Sequence, residues 1–416
     1  MKSVSPILFT LVVLVLLAGC TRSQTESNTS ESRASGSAPP DSVATFRDDV
    51  SFLRKHGGVE VLKGAGGGRI AVSPRYQGRV MTSGIAPDGR SFGWVNRSFV
   101  RGGKTGTPFD NYGGEDRFWL GPEGGQYGLY FPPGSAFTLD NWQVPPALNE
   151  GKWSVEAQSD ESMTLTRSMQ VSNYQDTRFA MDVRRTVRML SESDIGDHFD
   201  VSVPDAVQWV GFETINEVTN TGAEPWTASS GLPSIWILGQ FETFHSTTRI
   251  VVPYDEEGSG PIVNDDYFQS LSNDRLVATD GYIVYKADGK YRSKIGVGPR
   301  RAQSMFSSYD PEAQVLTLIQ YKKPAGVTEY VNSLWKQQDQ PYGGDVINAY
   351  NDSPTDAGGS SFYELESSSP ALDLAPGESY THFHRTLHLV GPADMLRRLL
   401  EETLGVSEAT VTTALK

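Results

Sequence analysis

An all-β, antiparallel fold is predicted by two features of the sequence. The first is composition: 42 Gly and 24 Pro, with 17 Tyr and 8 Trp, in a chain of 416 residues. These residues belong to strands and to the turns between them. The second is alternation. In Phe179-Ala180-Met181-Asp182-Val183 every second residue is apolar, which places one face of a strand in a core. Runs of this kind recur at close spacing with no linker after residue 41. One domain spanning 41–416 is therefore expected, with a short helix at each end. The formal net charge of −14 excludes a nucleic-acid partner, since phosphate binding needs clustered Lys and Arg.

Residues 1–19 read as a signal peptide. Lys2 supplies the positive start, and Ile7 to Leu17 is an apolar run too short to span a bilayer. It ends at Leu17-Ala18-Gly19-Cys20, which resembles a bacterial lipobox. That resemblance implies cleavage before Cys20 and a lipid on its sulfur. Thr21 rather than Asp follows, which points to the outer membrane of the bacterial cell envelope. Cys20 is the single cysteine, so no internal disulfide or thiolate cluster can form. Residues 20–40 are a polar tether that cannot form a core.

Asp41 or Ser42 can cap a helix over Val43–Lys55 that presents Phe46, Val50 and Leu53 on one face. Short β-type runs follow at 59–62, 69–72, 78–84 and 92–95. Gly66-Gly67-Gly68 is no phosphate loop, because no Lys-Ser or Lys-Thr follows it. Strands are expected at Tyr127–Phe131, 163–169, 178–189 and 207–217. Thr219-Asn220-Thr221-Gly222 signals a hairpin turn. Residues 234–239 form a buried-type run, and 253–275 a turn-rich excursion. Strands are expected again at 282–285, 294–297, 302–309, 316–321, 362–367 and 380–390, with 342–354 as a polar loop. Pro392 opens a final amphipathic helix through about Leu404.

Three constellations could carry chemistry. In Gly113 to Gln126, acids, an arginine and a glutamine lie among aromatics and glycines. That mixture suits a polyol or sugar, with Glu115, Asp116, Arg117, Trp119 and Gln126 as binding residues and Glu123 as proton acceptor. On a strand, Glu115, Arg117 and Trp119 would share one face. Structurally, the same stretch could simply be a twisted strand with Arg117 paired to Glu115 or Glu123. In Gly343 to Asp352, Asp345 and Asn348 could hold hydroxyls. If this segment is extended, Asp345 and Asn351 lie on a common side, where they could also bind calcium. Alternatively it is a capped loop. Finally, His382, His384 and His388 share a strand face near Glu364 and Glu366. Zinc binding and simple pairing with sheet carboxylates are both open there. No metal or other cofactor is assigned.

The Gly113–Gln126 motif, Glu213-Thr214-Ile215-Asn216, Gly343 to Asn348 and Phe362 to Glu366 with His384-Arg385-Thr386 resemble an uncharacterised family of bacterial lipoproteins. More distantly, the pattern is similar to the galactose-mutarotase-like superfamily. That resemblance implies a large antiparallel β-supersandwich and a carbohydrate ligand. In the superfamily's epimerases a Glu is the base and a His the acid. Carried over, this makes Glu123 or Glu364 the base and His245 or His384 the acid. The expected protein binds or processes a carbohydrate, with an aldose-epimerase-like proton transfer as the enzymatic form. A non-catalytic glycan-binding module and a structural envelope lipoprotein are the alternatives.

Overall fold

A computed structural model describes residues 44–353 and 361–415. They lie within one compact unit, Val43–Lys416. The lipobox, the tether and the expected cap residues Asp41 and Ser42 lie outside the described residues.

The chain is built on antiparallel sheets, as its composition and alternation predict. A ten-stranded sheet runs in the order Leu276–Thr279, Tyr282–Lys286, Arg249–Pro253, Met305–Asp310, Val315–Tyr321, Ser379–Val390, Gln208–Asn220, Arg178–Met189, Ser162–Ser172, Ser154–Gln158. A five-stranded sheet runs Ser293–Val297, Ile347–Asn351, Phe362–Ser368, Ser234–Glu242, Arg117–Gly121. The two sheets pack face to face. Phe118, Leu120, Ile235 and Ile237 of the short sheet cluster with Val183, Val187, Val210 and Phe212 of the long one. Toward the other end, Ile295, Ala349 and Leu365 meet Ile250, Ile283 and Ile319. Each buried side chain of this kind contributes roughly 1.5–3 kcal/mol of transfer free energy.

The helices cover what the sandwich leaves open. Phe46–His56 starts one turn later than expected. Thr45 is its cap, and Thr45 and Asp48 bond each other's backbone N–H reciprocally, a device worth about 1 kcal/mol. Phe46, Val50 and Leu53 are buried as expected, against Ala71 and Met81 of a small sheet formed by Glu60–Lys63, Arg69–Ser73 and Arg79–Gly84. At the other end Pro392 caps Ala393–Leu404. Leu396, Leu399 and Leu400 lie on Leu316, Leu318, Leu387 and Leu389, on the outer face of the long sheet. Helices Arg97–Gly102, Pro146–Asn149, Glu192–Phe199 and Glu408–Thr413 were not expected.

Three local expectations are corrected. Tyr127–Phe131 is no strand. The amides of Leu129 and Tyr130 turn back to the carbonyls of Pro122 and Glu123, so its apolar alternation serves a loop. Thr219 to Gly222 is no hairpin, because the next strand, Ser234–Glu242, belongs to the other sheet. Here Asn220 Oδ1 accepts from the Gly222 amide, a local turn that ends a strand. The 342–354 segment contains the strand Ile347–Asn351. Pairing on both edges overrides its polar composition.

Candidate functional site

The face of the short sheet turned away from the long one carries an unusual set of side chains. Strand alternation selects them. Arg117 and Trp119 come from one strand, Trp236 and Gln240 from the next, then Glu364 and Glu366, then Asn348 and Tyr350, and last Lys294. In register, Trp119 lies opposite Trp236. Arg117, Leu238, Glu366 and Asn348 form one row across the sheet. Gln240, Glu364, Tyr350 and Lys294 form the next. Neighbouring strands are about 4.8 Å apart, so these groups lie within reach of one another.

Two ion pairs organise the face. Arg117 Nη2 donates to Glu364 Oε1 at 2.5 Å. Lys294 Nζ donates to Glu366 Oε2 at 2.9 Å, and the Trp236 indole N–H donates to the same oxygen at 2.8 Å. The Arg117 guanidinium lies 4.8 Å from the centre of the Trp119 ring, and the Lys294 ammonium 4.7 Å from that of Trp236. Such cation–π contacts gain strength where water is excluded. Glu123 sits beside this face on the loop after Arg117–Gly121. Trp142 donates to its Oε1 at 2.8 Å, and Trp335 is a second side-chain partner.

The electrostatics follow from four carboxyls facing two cations in a poorly hydrated space. Burial raises the Glu364 carboxyl to about 7, against the pull of Arg117. Burial raises Glu123 as well. Asp345 is raised to about 6 by burial, although Tyr267 and Asn264 both donate to it. Burial opposes the charge on Lys294, but Glu366, Glu123 and Glu364 hold its ammonium above the ordinary value. Carboxyls near neutrality can both give and take a proton.

Asp345 also lines a cleft of about 510 Å³ with Asn264, Arg300, Glu329, Asp339 and Tyr342. Tyr267, whose hydroxyl donates to Asp345 at 2.7 Å, accepts from Asn348 Nδ2 at 2.9 Å. The cleft thus borders the charged face through the Asp345–Tyr267–Asn348 chain.

The structure brings Arg117, Trp119, Glu123, Glu364, Asp345 and Asn348 together on and around this face. It places the other expected site residues elsewhere. Glu115 precedes the strand, after Gly114 at φ 121°, so strand alternation does not govern it. Its Oε1 accepts from Ser83 at 2.7 Å and His388 at 2.6 Å. Asp116 is buried against Arg185, on the long sheet. Gln126 exchanges hydrogen bonds with the backbone of Gln338 and pins two loops together.

The expected carboxylate–histidine pairs do not form. His384 meets Ser367 Oγ at 2.8 Å, and Ser367 points to the opposite side of its strand from Glu364 and Glu366. His245 pairs with Asp310 at 3.1 Å. His382 shares the Ser367 hydroxyl with His384, whereas His388 turns to Glu115 and Thr317. The three histidines do share a face, but it is the inner one. Asp345 and Asn351 do not meet either, since Asn351 bonds Gly289 and Asp288. Among the described residues no group of three or more His, Cys, Asp and Glu side chains is placed to hold a metal.

Lys294, Trp236 and Tyr267 were not singled out from the sequence, and Glu366 was named only beside the histidines, without a role at this face. A signal existed in Glu364-x-Glu366 and in a lysine heading the apolar run 295–297. Charges at alternating positions of a buried strand mark a second, polar face.

A match to a family of unknown function, DUF6786, spans residues 44–415. The chain belongs to that family. No curated protein matches it by sequence. Among solved structures, it is similar to a galactose mutarotase-like protein from Lactobacillus casei, at 11% identity and a TM-score of 0.47, covering 80% of this chain and 100% of that one. It is also similar to a galactose mutarotase related enzyme from Lactobacillus acidophilus, at 11% identity and a TM-score of 0.45, covering 80% of this chain and 97% of that one. At such identities the likeness is one of fold. Membership of DUF6786 extends over both sheets and every residue of the polar face.

Proposed function

We propose that the outer face of the short sheet binds a saccharide. One observation carries this reading. Buried on that face, Arg117 Nε and Nη1 have no acceptor among the described residues, and Glu366 Oε1 has no donor among them. An unmade hydrogen bond of this kind costs about 1–3 kcal/mol or more. A ligand that satisfies all three must both accept and donate. Vicinal hydroxyls do so, and Trp119, Trp236, Trp142 and Trp335 offer the flat apolar surface that sugar rings need. If the bound sugar is turned over, Glu364 is the group to move the proton, because its carboxyl is poised near neutrality. The absence of a histidine from this cluster favours plain glycan binding as the second reading.

With four tryptophans at the site, tryptophan emission reports occupancy. Titrating residues 41–416 with mono- and oligosaccharides should give a saturable change for one sugar class. The melting temperature should rise alongside, since ligand at a hundred times its Kd adds about 2.7 kcal/mol. Glu366→Gln, which keeps shape and loses the acceptor charge, should weaken binding about tenfold or more. A flat response across the panel would refute the proposal.

The sequence signals add a location: a lipid on Cys20 holds this domain to the outer membrane on a tether of some twenty residues. Cys20→Ser should then shift the chain from the detergent-requiring to the soluble fraction. Unchanged membrane retention of that variant would count against lipid anchoring.

A further inference from the structure

A second cleft lies on the long sheet, on the face away from the sandwich core. It encloses about 360 Å³ and is lined by Ser304, Gln320, Tyr321, Lys322, Lys323, Phe383 and Arg385. In a chain with 50 acids and 36 basic residues, this lining holds three cations and no acid. The cations differ in their commitments. Lys323 Nζ donates to the Ala302 carbonyl at 2.5 Å. Arg385 donates to Gln320 Oε1 at 2.6 Å and pairs with Glu213, while its Nε is buried without a partner. Lys322 is exposed, makes no ion pair among the described residues, and stands 5.5 Å from the centre of the Phe383 ring. Glu213 is itself shared, with Arg188 at 2.8 Å, and Arg188 also pairs with Asp194. The two arginines and these two acids balance, and Lys323 is faced by Asp255 only beyond ion-pair distance, which leaves a net positive charge at the cleft, carried chiefly by Lys322.

We infer that this cleft is a binding site for a tetrahedral oxyanion, a phosphate or sulfate group. Such an anion presents several acceptors at once. It can take the mobile ammonium of Lys322, the ammonium of Lys323 and the orphaned Nε–H of Arg385, as charge-assisted bonds. Phe383 gives one dry wall, which strengthens those bonds. The position is separate from the saccharide face, because Phe383 and Arg385 project from the outer side of the long sheet while the proposed sugar site lies on the outer side of the short one.

The test is a titration of residues 41–416 with inorganic phosphate and sulfate at constant ionic strength, against chloride, read by melting temperature and by amide chemical shifts near Phe383. A saturable response is expected, reduced at least fivefold in Lys322→Gln/Lys323→Gln and retained in Lys63→Gln, a change of one exposed charge elsewhere. A response of equal size in the double variant would be the general stabilisation that sulfate and phosphate exert by exclusion, and would overturn the assignment. The group could instead arrive on a lipid. Vesicles of phosphatidylglycerol, compared with phosphatidylcholine, should then bind the chain in a way that inorganic phosphate competes away and the double variant loses. Failure of both arms overturns the site and leaves the saccharide reading untouched, since no residue is shared.

Discussion

Replacing Arg185 by Met should cost 3–5 kcal/mol, the range for stripping one partner from a buried ion pair. Arg185 and Asp116 are both completely buried, and Nη2 lies 2.5 Å from Asp116 Oδ1. The same guanidinium donates to Asn216 Oδ1 at 2.5 Å and to the Gly78 carbonyl at 3.1 Å. It therefore fastens the small sheet, the Glu115–Gly121 segment and two strands of the long sheet at one point. Methionine fills much of the volume but strips the buried Asp116 carboxyl of its cation and leaves it one side-chain donor, Thr214 Oγ1 at 3.0 Å. Against a typical total of about 5–15 kcal/mol, that loss should lower the urea midpoint by about a fifth or more. Adding Asp116→Asn replaces the unpartnered carboxyl by a neutral amide and should recover part of the loss. A single variant within about 1 kcal/mol of the parent would show that the pair is not what joins these layers.

Stability should peak in mildly acidic solution and fall on both sides. His382 is lowered to about 3 and His384 to about 4, in both cases mainly by burial. A depressed histidine binds its proton in the unfolded chain first. Between the ordinary value near 6.5 and these folded values, unfolding takes up protons, so stability drops as pH falls through that window. The carboxyls act in the opposite sense. Burial raises Glu364 to about 7, Asp345 to about 6 and Glu242 to about 8. The folded chain keeps those protons after the unfolded chain has released them near pH 4–4.5, so stability drops as pH rises from there toward 8. Below about pH 4.5 only the histidine effect operates, and above about 6.5 only the carboxyl effect. Between them three carboxyls outweigh two histidines, so the decline begins as soon as the carboxyls ionise in the unfolded chain, which places the maximum at about pH 4.5. The two histidines together should cost several kcal/mol by pH 3–4, of the order implied by 1.36 kcal/mol per pKa unit. Urea midpoints measured from pH 3 to 9 decide the matter. A midpoint that rises steadily to pH 9 would contradict the carboxyl assignments. In His382→Asn/His384→Asn, loss of the acid limb should leave the alkaline limb in place.

Much of the sandwich was legible because its strands alternate. Arg178–Met189 could be read residue by residue, and the terminal helices were missed by a turn at most. What failed was local. Tyr127–Phe131 has the right residues for a strand but no neighbour to pair with, and Ile347–Asn351 has poor residues but two neighbours. Composition reports the first condition, and only the assembled sheet supplies the second. The candidate site was legible on one side. Arg117, Trp119, Glu123 and Glu364 could be picked out as polar groups among aromatics. Their partners Lys294 and Trp236 sit in runs that look like ordinary core. Glu115 and Asp116 were misplaced because the strand begins only at Arg117, after the turn at Gly114, and His384 because a strand's outer and inner faces cannot be told apart when both are buried. Asp116 is as polar as the site residues, but its hydrogen bonds close on Arg185 and Thr214.

Arg117 and Glu364 are 247 positions apart in the chain. The strand Arg117–Gly121 sits at the sheet edge and pairs only with Ser234–Glu242, which in turn pairs with Phe362–Ser368. During synthesis the guanidinium therefore emerges long before the carboxylate that neutralises it. Until Phe362–Ser368 arrives, the centre of the sheet is missing, and the edge strand carries an uncompensated charge that resists burial. Such distant pairing slows folding and makes assembly of this face one of the last events in it. The face thus forms only once synthesis has passed residue 368, and any product ending before residue 362 would lack Glu364 and Glu366 and the central strand that aligns the rest.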